Sequence, residues 1–188
     1  MKDPPRQRPT RGLAKAPAIS VAVEEPRWRE HKSALRLIRR AARLVLEDKI
    51  ATPAHLGSKL VLPALTILLT DNARLKALNA SFRGKDKPTN VLSFPPPAAE
   101  RSYLGDIAIA YGVVSREARV QKKDFADHAA HLAVHGILHL LGLNHEKMRE
   151  ARVMETCEVH ILAKLGISNP YATRAPGSRA YTRAGKAA

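Results

Sequence analysis

Apolar residues recur along this chain with two different periods. Ile19 to Val23 alternates weakly and reads as a short strand. From Arg27 to Asp48 the period becomes helical, with Trp28, Leu35, Ile38, Ala42 and Val45 on one side. Arg29, Lys32, Arg36, Arg39, Arg40 and Arg43 gather on the opposite side, at ~100° per residue. Ala64 to Thr70 is a short branched apolar run and is expected to be a buried strand. Asp71 or Asn72 can then cap a helix carrying Leu75, Leu78 and Phe82. A polar stretch from Arg83 to Asn90 leads into a strand, Val91 to Phe94, which three prolines stop. Gly105 to Tyr111 alternates with period two, a further strand. Helices are expected over Val113 to Lys122, from Asp124 or Asp127 to Leu141, and from about Glu146 to Leu165. The last should bury Met154, Cys157, Ile161 and Leu165, and Gly142 and Gly166 mark the two helix ends.

Strands and helices mix without regular βαβ alternation. The expected class is therefore α+β, a single domain with a small mixed sheet of about four strands packed by about five helices. That domain should span residues 18–170. Residues 1–17 and 171–188 are basic, rich in Pro, Ala, Arg or Gly, and poor in anything to bury, so both read as disordered tails.

Composition narrows the function. With 188 residues the chain is long enough for a hydrophobic core, and with 4% aromatics that core must be mainly aliphatic. Cys157 is the only cysteine, which excludes an intrachain disulfide and a cysteine metal cage and fits a reducing compartment. No stretch approaches the ~18–20 apolar residues of a membrane span, and Pro63 interrupts the longest run. No apolar leader segment precedes Glu24 and Glu25, so a cytoplasmic protein without a membrane is expected. The net charge is +15, and about half of it remains when the two tails are set aside. A basic domain of this kind suits a polyanion partner, with the Arg-rich helix face as its candidate contact.

Chemistry concentrates in HGILHLLGLNH, residues 135–145. His135 and His139 stand one helical turn apart on one face, so both imidazoles can reach a common ion. Gly142 lets the chain leave the helix with positive φ and bring His145 back as a third nitrogen ligand. Three protein ligands leave a position open for water, the mark of a catalytic zinc site. His128 and His131 share the helix face and read as supporting or surface residues. The spacing follows the zinc-peptidase pattern H-E-x-x-H-x-x-G-x-x-H, but Gly136 stands where the general-base Glu belongs. A peptidase reading therefore lacks its base while the metal cage survives. Glu146 and Asp106 are the other carboxylates considered as base or acid.

The same segment, with Glu146, resembles the H-G-x-L-H-L-x-G-x-D-H-E signature of the YbeY family, endoribonucleases of bacterial ribosome maturation. LNASFRGKDKPTNVLSFP, Leu78 to Pro95, resembles that family's L-N-x-x-x-R-x-x-x-x-x-T-[DN]-V-L-S-F-P block, and LGDIAIA, Leu104 to Ala110, a third. The likeness covers residues 19–166. It implies an α+β fold and one zinc ion (Zn2+) per chain on His135, His139 and His145. It implies an active-site arginine at Arg83. The implied activity is cleavage of single-stranded RNA in 16S rRNA 3′-end maturation and ribosome quality control. Ribosomal RNA, the small ribosomal subunit, ribosomal proteins and an assembly GTPase are the implied partners. Asn144 departs from the family's Asp beside the third histidine. Two alternatives stand beside this reading: a metal-stabilised RNA-binding assembly factor, and a metallopeptidase-like hydrolase.

Overall fold

The computed structural model describes residues 18–48, 50, 64–97 and 102–172. The expected tails lie outside the described residues, except for Tyr171 and Ala172.

Four strands form one mixed sheet in the order β1-β2-β4-β3. β1 (Ile19–Val23) pairs in parallel with β2 (Ala64–Thr70), and β2 in parallel with β4 (Tyr103–Ala110). β3 (Val91–Phe94) runs antiparallel to β4 at the far edge. Five α-helices cover the sheet: α1 (Lys32–Glu47), α2 (Asn72–Arg83), α3 (Tyr111–Val120), α4 (Phe125–Leu140) and α5 (Met148–Lys164). The α+β expectation holds in class, strand number and helix number.

Alternation along the strands decides which helix packs where. Leu65, Ile67 and Leu69 of β2 and Ile107 and Ile109 of β4 point into a large core completed by α1, α4 and α5. Ala108 and Ala110 point the other way, into a small cluster with Leu75, Leu92 and Val113, against which Leu68, Leu78 and Phe94 pack. α4 is the hub of the larger side. Its Ala129, Ala130, Ala133 and Gly136 are small, which lets the helix sit close to its neighbours. A Cβ at Gly136 would come within 3.1 Å of both Ile107 Cγ2 and Ser93 Oγ, and the Ser93 hydroxyl donates to the Gly136 carbonyl at 3.0 Å.

Local signals set the ends. Asp71 caps α2 by accepting from the Arg74 amide at 2.7 Å, and Asp124 caps α4 by accepting from Ala126 and Asp127. The structure corrects three expectations. The helix expected from Arg27 to Asp48 is broken at His31: Pro26–Glu30 forms a separate 3-10 turn before α1. Its cause is Trp28, fully buried against Tyr111 and Phe125, with its indole N–H on the Thr70 carbonyl at 3.3 Å. Phe82 was expected on a buried face but is 68% exposed, because the end of α2 runs past the small cluster that buries Leu75. Tyr171, assigned to the tail, folds back onto α5 and α4.

Candidate metal centre

α4 presents His135 and His139 one turn apart at its C-terminal end. Gly142, with φ of 89°, takes a backbone conformation that a side chain disfavours and turns the chain back. His145 thereby returns to the other two. The ring centroid of His145 lies 5.4 Å from that of His135 and 4.9 Å from that of His139. One ring nitrogen from each histidine lies within 4.8 Å of the others, as the sequence spacing anticipates.

Hydrogen bonds orient these rings. His135 Nδ1 donates to Glu158 Oε1 at 2.7 Å, and His139 Nδ1 donates to the Leu143 carbonyl at 3.0 Å. With Nδ1 donating in this way, the lone pair that either ring can offer a metal is the one on Nε2. The two Nε2 atoms lie 3.1 Å apart. Two lone pairs facing each other at that distance repel unless a proton or a cation lies between them. Two zinc ligands at ~2.0–2.1 Å in tetrahedral geometry are themselves ~3.3 Å apart. The residues present thus fit a nitrogen-ligated divalent ion.

Electrostatics agree. Burial, then the neighbouring His135 and His145, push His139 down to about 4, and burial also lowers His145. Both rings are therefore neutral near pH 7, the state in which imidazole binds a metal.

Behind the ligands stands Glu158 on α5, 1% exposed. Burial works to raise its carboxyl, but hydrogen bonds from His131 and His135 overcome that and hold it well below the usual carboxylate range. His131 Nε2 donates to its second oxygen at 2.8 Å, and the Tyr171 hydroxyl donates to that same oxygen. Burial keeps His131 itself lowered, so it serves as a neutral donor. A carboxylate on a ligand's remote nitrogen fixes the tautomer and raises ligand basicity. His135, His145, Met154, Glu158 and Tyr171 share the wall of one small recess.

Pattern reading missed Glu158 and Tyr171. Glu158 had a usable signal: it lies on the stripe of Met154, Ile161 and Leu165, a lone carboxylate on an apolar helix face. Tyr171 lies past the last helix, where periodicity carries no information. His131 turns out to support the centre through Glu158. His128 belongs to a separate group, its Nε2 2.9 Å from Glu117, which also binds Asn90.

Neither carboxylate considered as base makes a hydrogen bond to the histidines among the described residues, although Glu146 lies near enough to His145 to act on it by its charge. Asp106 points to the α2 side of the sheet with Ala108, and the Tyr103 hydroxyl donates to it. Glu146 is exposed in the turn after His145. Asn144, also exposed, acts on His139 so as to favour its charged form, a smaller influence than burial. Gly136 packs against the sheet, so the position of the peptidase Glu has no room for a carboxylate and faces away from the recess.

Arg83 is exposed, the last residue of α2, and makes no hydrogen bond or ion pair among the described residues. Asp86 pairs with Lys76 at 3.3 Å instead. Arg83 does not touch the histidines, but contacts link its end of α2 to theirs. The Phe82 ring lies 5.0 Å from Phe94, and the Phe94 carbonyl and the Leu140 side chain both crowd Gly105. The ends of α2, β3 and α4 thus meet at one end of the molecule.

Comparison with known proteins gives the family of the chain. The profile described as "Endoribonuclease YbeY" matches residues 27–166. A Rhodopseudomonas palustris protein named Endoribonuclease YbeY is 47% identical over 163 residues, covering 83% of this chain and 82% of its own. The protein of that name from Chelativorans is 54% identical over 115 residues, covering 58% of this chain and 70% of its own. A solution structure of a Thermotoga maritima protein aligns with 86% of this chain and 99% of its own, at a TM-score of 0.48 and 23% identity. With a profile match across most of its length and relatives of this identity, the chain belongs to the endoribonuclease YbeY family.

Proposed function

We propose that this protein is a zinc-dependent endoribonuclease that cuts single-stranded RNA, acting in the cytoplasm on 16S rRNA 3′ ends and on defective ribosomes. The observation that carries it is the convergence of His135, His139 and His145, with the tautomers of His135 and His139 fixed from behind. Family membership supports RNA as substrate, and the net charge of +15 supports a polyanion. A bound zinc ion would supply Lewis acidity toward the phosphodiester and toward water. The chain's own part is to hold that centre and to receive the RNA. Glu158 holds His135 in the tautomer with Nε2 free, and His131 and Tyr171 hold Glu158. Arg83 is assigned to the phosphoryl oxygens. Phosphodiester cleavage builds negative charge there, and a planar guanidinium matches two oxygens at once. Its lack of a hydrogen-bond or ion-pair partner among the described residues supports this role. The exposed face of Arg29, Lys32, Arg36, Arg40 and Arg43 is suited to the RNA backbone farther from the cut. Small-subunit proteins and an assembly GTPase are the proposed partners.

The test measures metal content and cleavage of a single-stranded ribosomal RNA fragment. His139→Ala should lose the metal and at least about a hundredfold in rate. Arg83→Ala should keep metal and melting temperature but lose cleavage, and Arg83→Lys should recover only part of it. A metal-free wild-type protein, or wild-type cleavage by Arg83→Ala, would overturn the assignment.

A further inference from the structure

Phe82 is a large apolar ring left 68% exposed on a helix whose leucines, Leu75 and Leu78, pack against the small cluster. Its edge-on partner, Phe94, is half-buried at the end of β3, the edge strand, and fixes the orientation of the ring. Two cationic residues, Arg83 and Lys85, follow it closely in the chain. Arg83 follows directly and lacks an anionic partner among the described residues. The ammonium of Lys85 is shielded from solvent and has no hydrogen-bond partner among the described residues. The one acid of this loop, Asp86, is engaged by Lys76. An exposed aromatic face with neighbouring unpaired cations, at the same end as the three histidines, matches one chemical class of ligand: an unpaired nucleobase with its phosphate.

We infer that Phe82 is a base-stacking platform for single-stranded RNA, with Phe94 as its rigid backing and Arg83 taking the adjoining phosphate. This rests on the nuclease reading above and adds the element that would favour single strands. Bases inside a duplex are already stacked and offer no face, whereas an unpaired base gains ~1–3 kcal/mol on an aromatic ring. The ring is sequence-tolerant for the same reason, since every base has a π-face.

The experiment titrates the full chain with a single-stranded oligoribonucleotide carrying 2-aminopurine, and with the same strand in a duplex. Wild-type protein should quench the base on binding the single strand. Phe82→Leu should remove the quench and weaken binding about fivefold to a hundredfold. Its melting temperature should stay near wild type, because so exposed a ring contributes little to the core. Phe82→Trp should keep the affinity, and its own emission should be quenched by the oligonucleotide. The only native tryptophan, Trp28, is fully buried and gives a constant background. If Phe82→Leu binds and quenches like wild type, the platform is wrong, and a protein partner becomes the better occupant of this ring. Should that happen while wild type still cleaves RNA, the nuclease reading stands without it. If wild type stacks the base through Phe82 yet cleaves nothing, the platform stands and the nuclease reading falls.

Discussion

On one side of the sheet, Ile107 and Ile109 sink into a core shared by α1, α4 and α5; on the other, Ala108 and Ala110 meet little more than α2 and the start of α3. The two sides are built from alternate residues of the same strand, yet they serve different ends. The thick side encloses the histidine centre and its buried carboxylate, where an error of an ångström in one ring would separate the nitrogens. The thin side ends in exposed residues, Phe82 and Arg83, suited to meeting something from solution. Rigidity was placed where ligands must converge, and exposure where a long flexible substrate must be received.

This contrast can be broken by experiment. The largest effect should come from emptying the thick core. Ile137→Ala, at a fully buried position on the hub helix, should cost about 3–4 kcal/mol, and weaken metal binding with it. Leu75→Ala on the thin side removes an equally buried side chain but should cost about 2–3 kcal/mol and leave metal affinity intact. Denaturant unfolding with metal titration checks both, and a Leu75→Ala protein that loses its metal would show the two sides to be coupled. Next in size is Glu158→Gln, which keeps the shape and removes the charge behind His135. Metal affinity should fall about tenfold to a hundredfold. A separate effect, on stability alone, is acid sensitivity of the metal-free protein. His139 is lowered to about 4 from an ordinary 6.5, so between those values the unfolded chain binds the proton and the folded one does not. Stability should therefore fall as pH drops from 6.5 toward 4, and thermal melts across that range should show it. His139→Asn should flatten the slope.

Most of the thick side was legible in the sequence, because its residues obey simple periods. The strand Ala64–Thr70, the caps Asp71 and Asp124 and the triad His135, His139 and His145 all follow from local rules. Errors arose where tertiary packing overrode period. Trp28 continues the apolar spacing of α1, so the break at His31 was invisible until Tyr111 and Phe125 were seen around the indole. Phe82 keeps helical spacing with Leu75 and Leu78, and only the extent of the sheet shows that the core stops short of it. Gly136 was read as the absence of a base; its positive role, contact with Ser93 and Ile107, depends on a neighbour distant in sequence. Arg83 is recognised by resemblance alone, since a single exposed arginine at a helix end carries no periodic signal.

The bond from Tyr171 to Glu158 has a consequence in time as well as in space. A chain made from its N-terminus exposes His135, His139 and His145 well before α5 brings the carboxylate behind them, and Tyr171 follows later still. During its own synthesis the protein passes through a stage in which all three ligands exist but nothing fixes which nitrogen of His135 faces the others. A metal ion bound by the three histidines would meet a fixed His135 tautomer only after Glu158 of α5 has joined them.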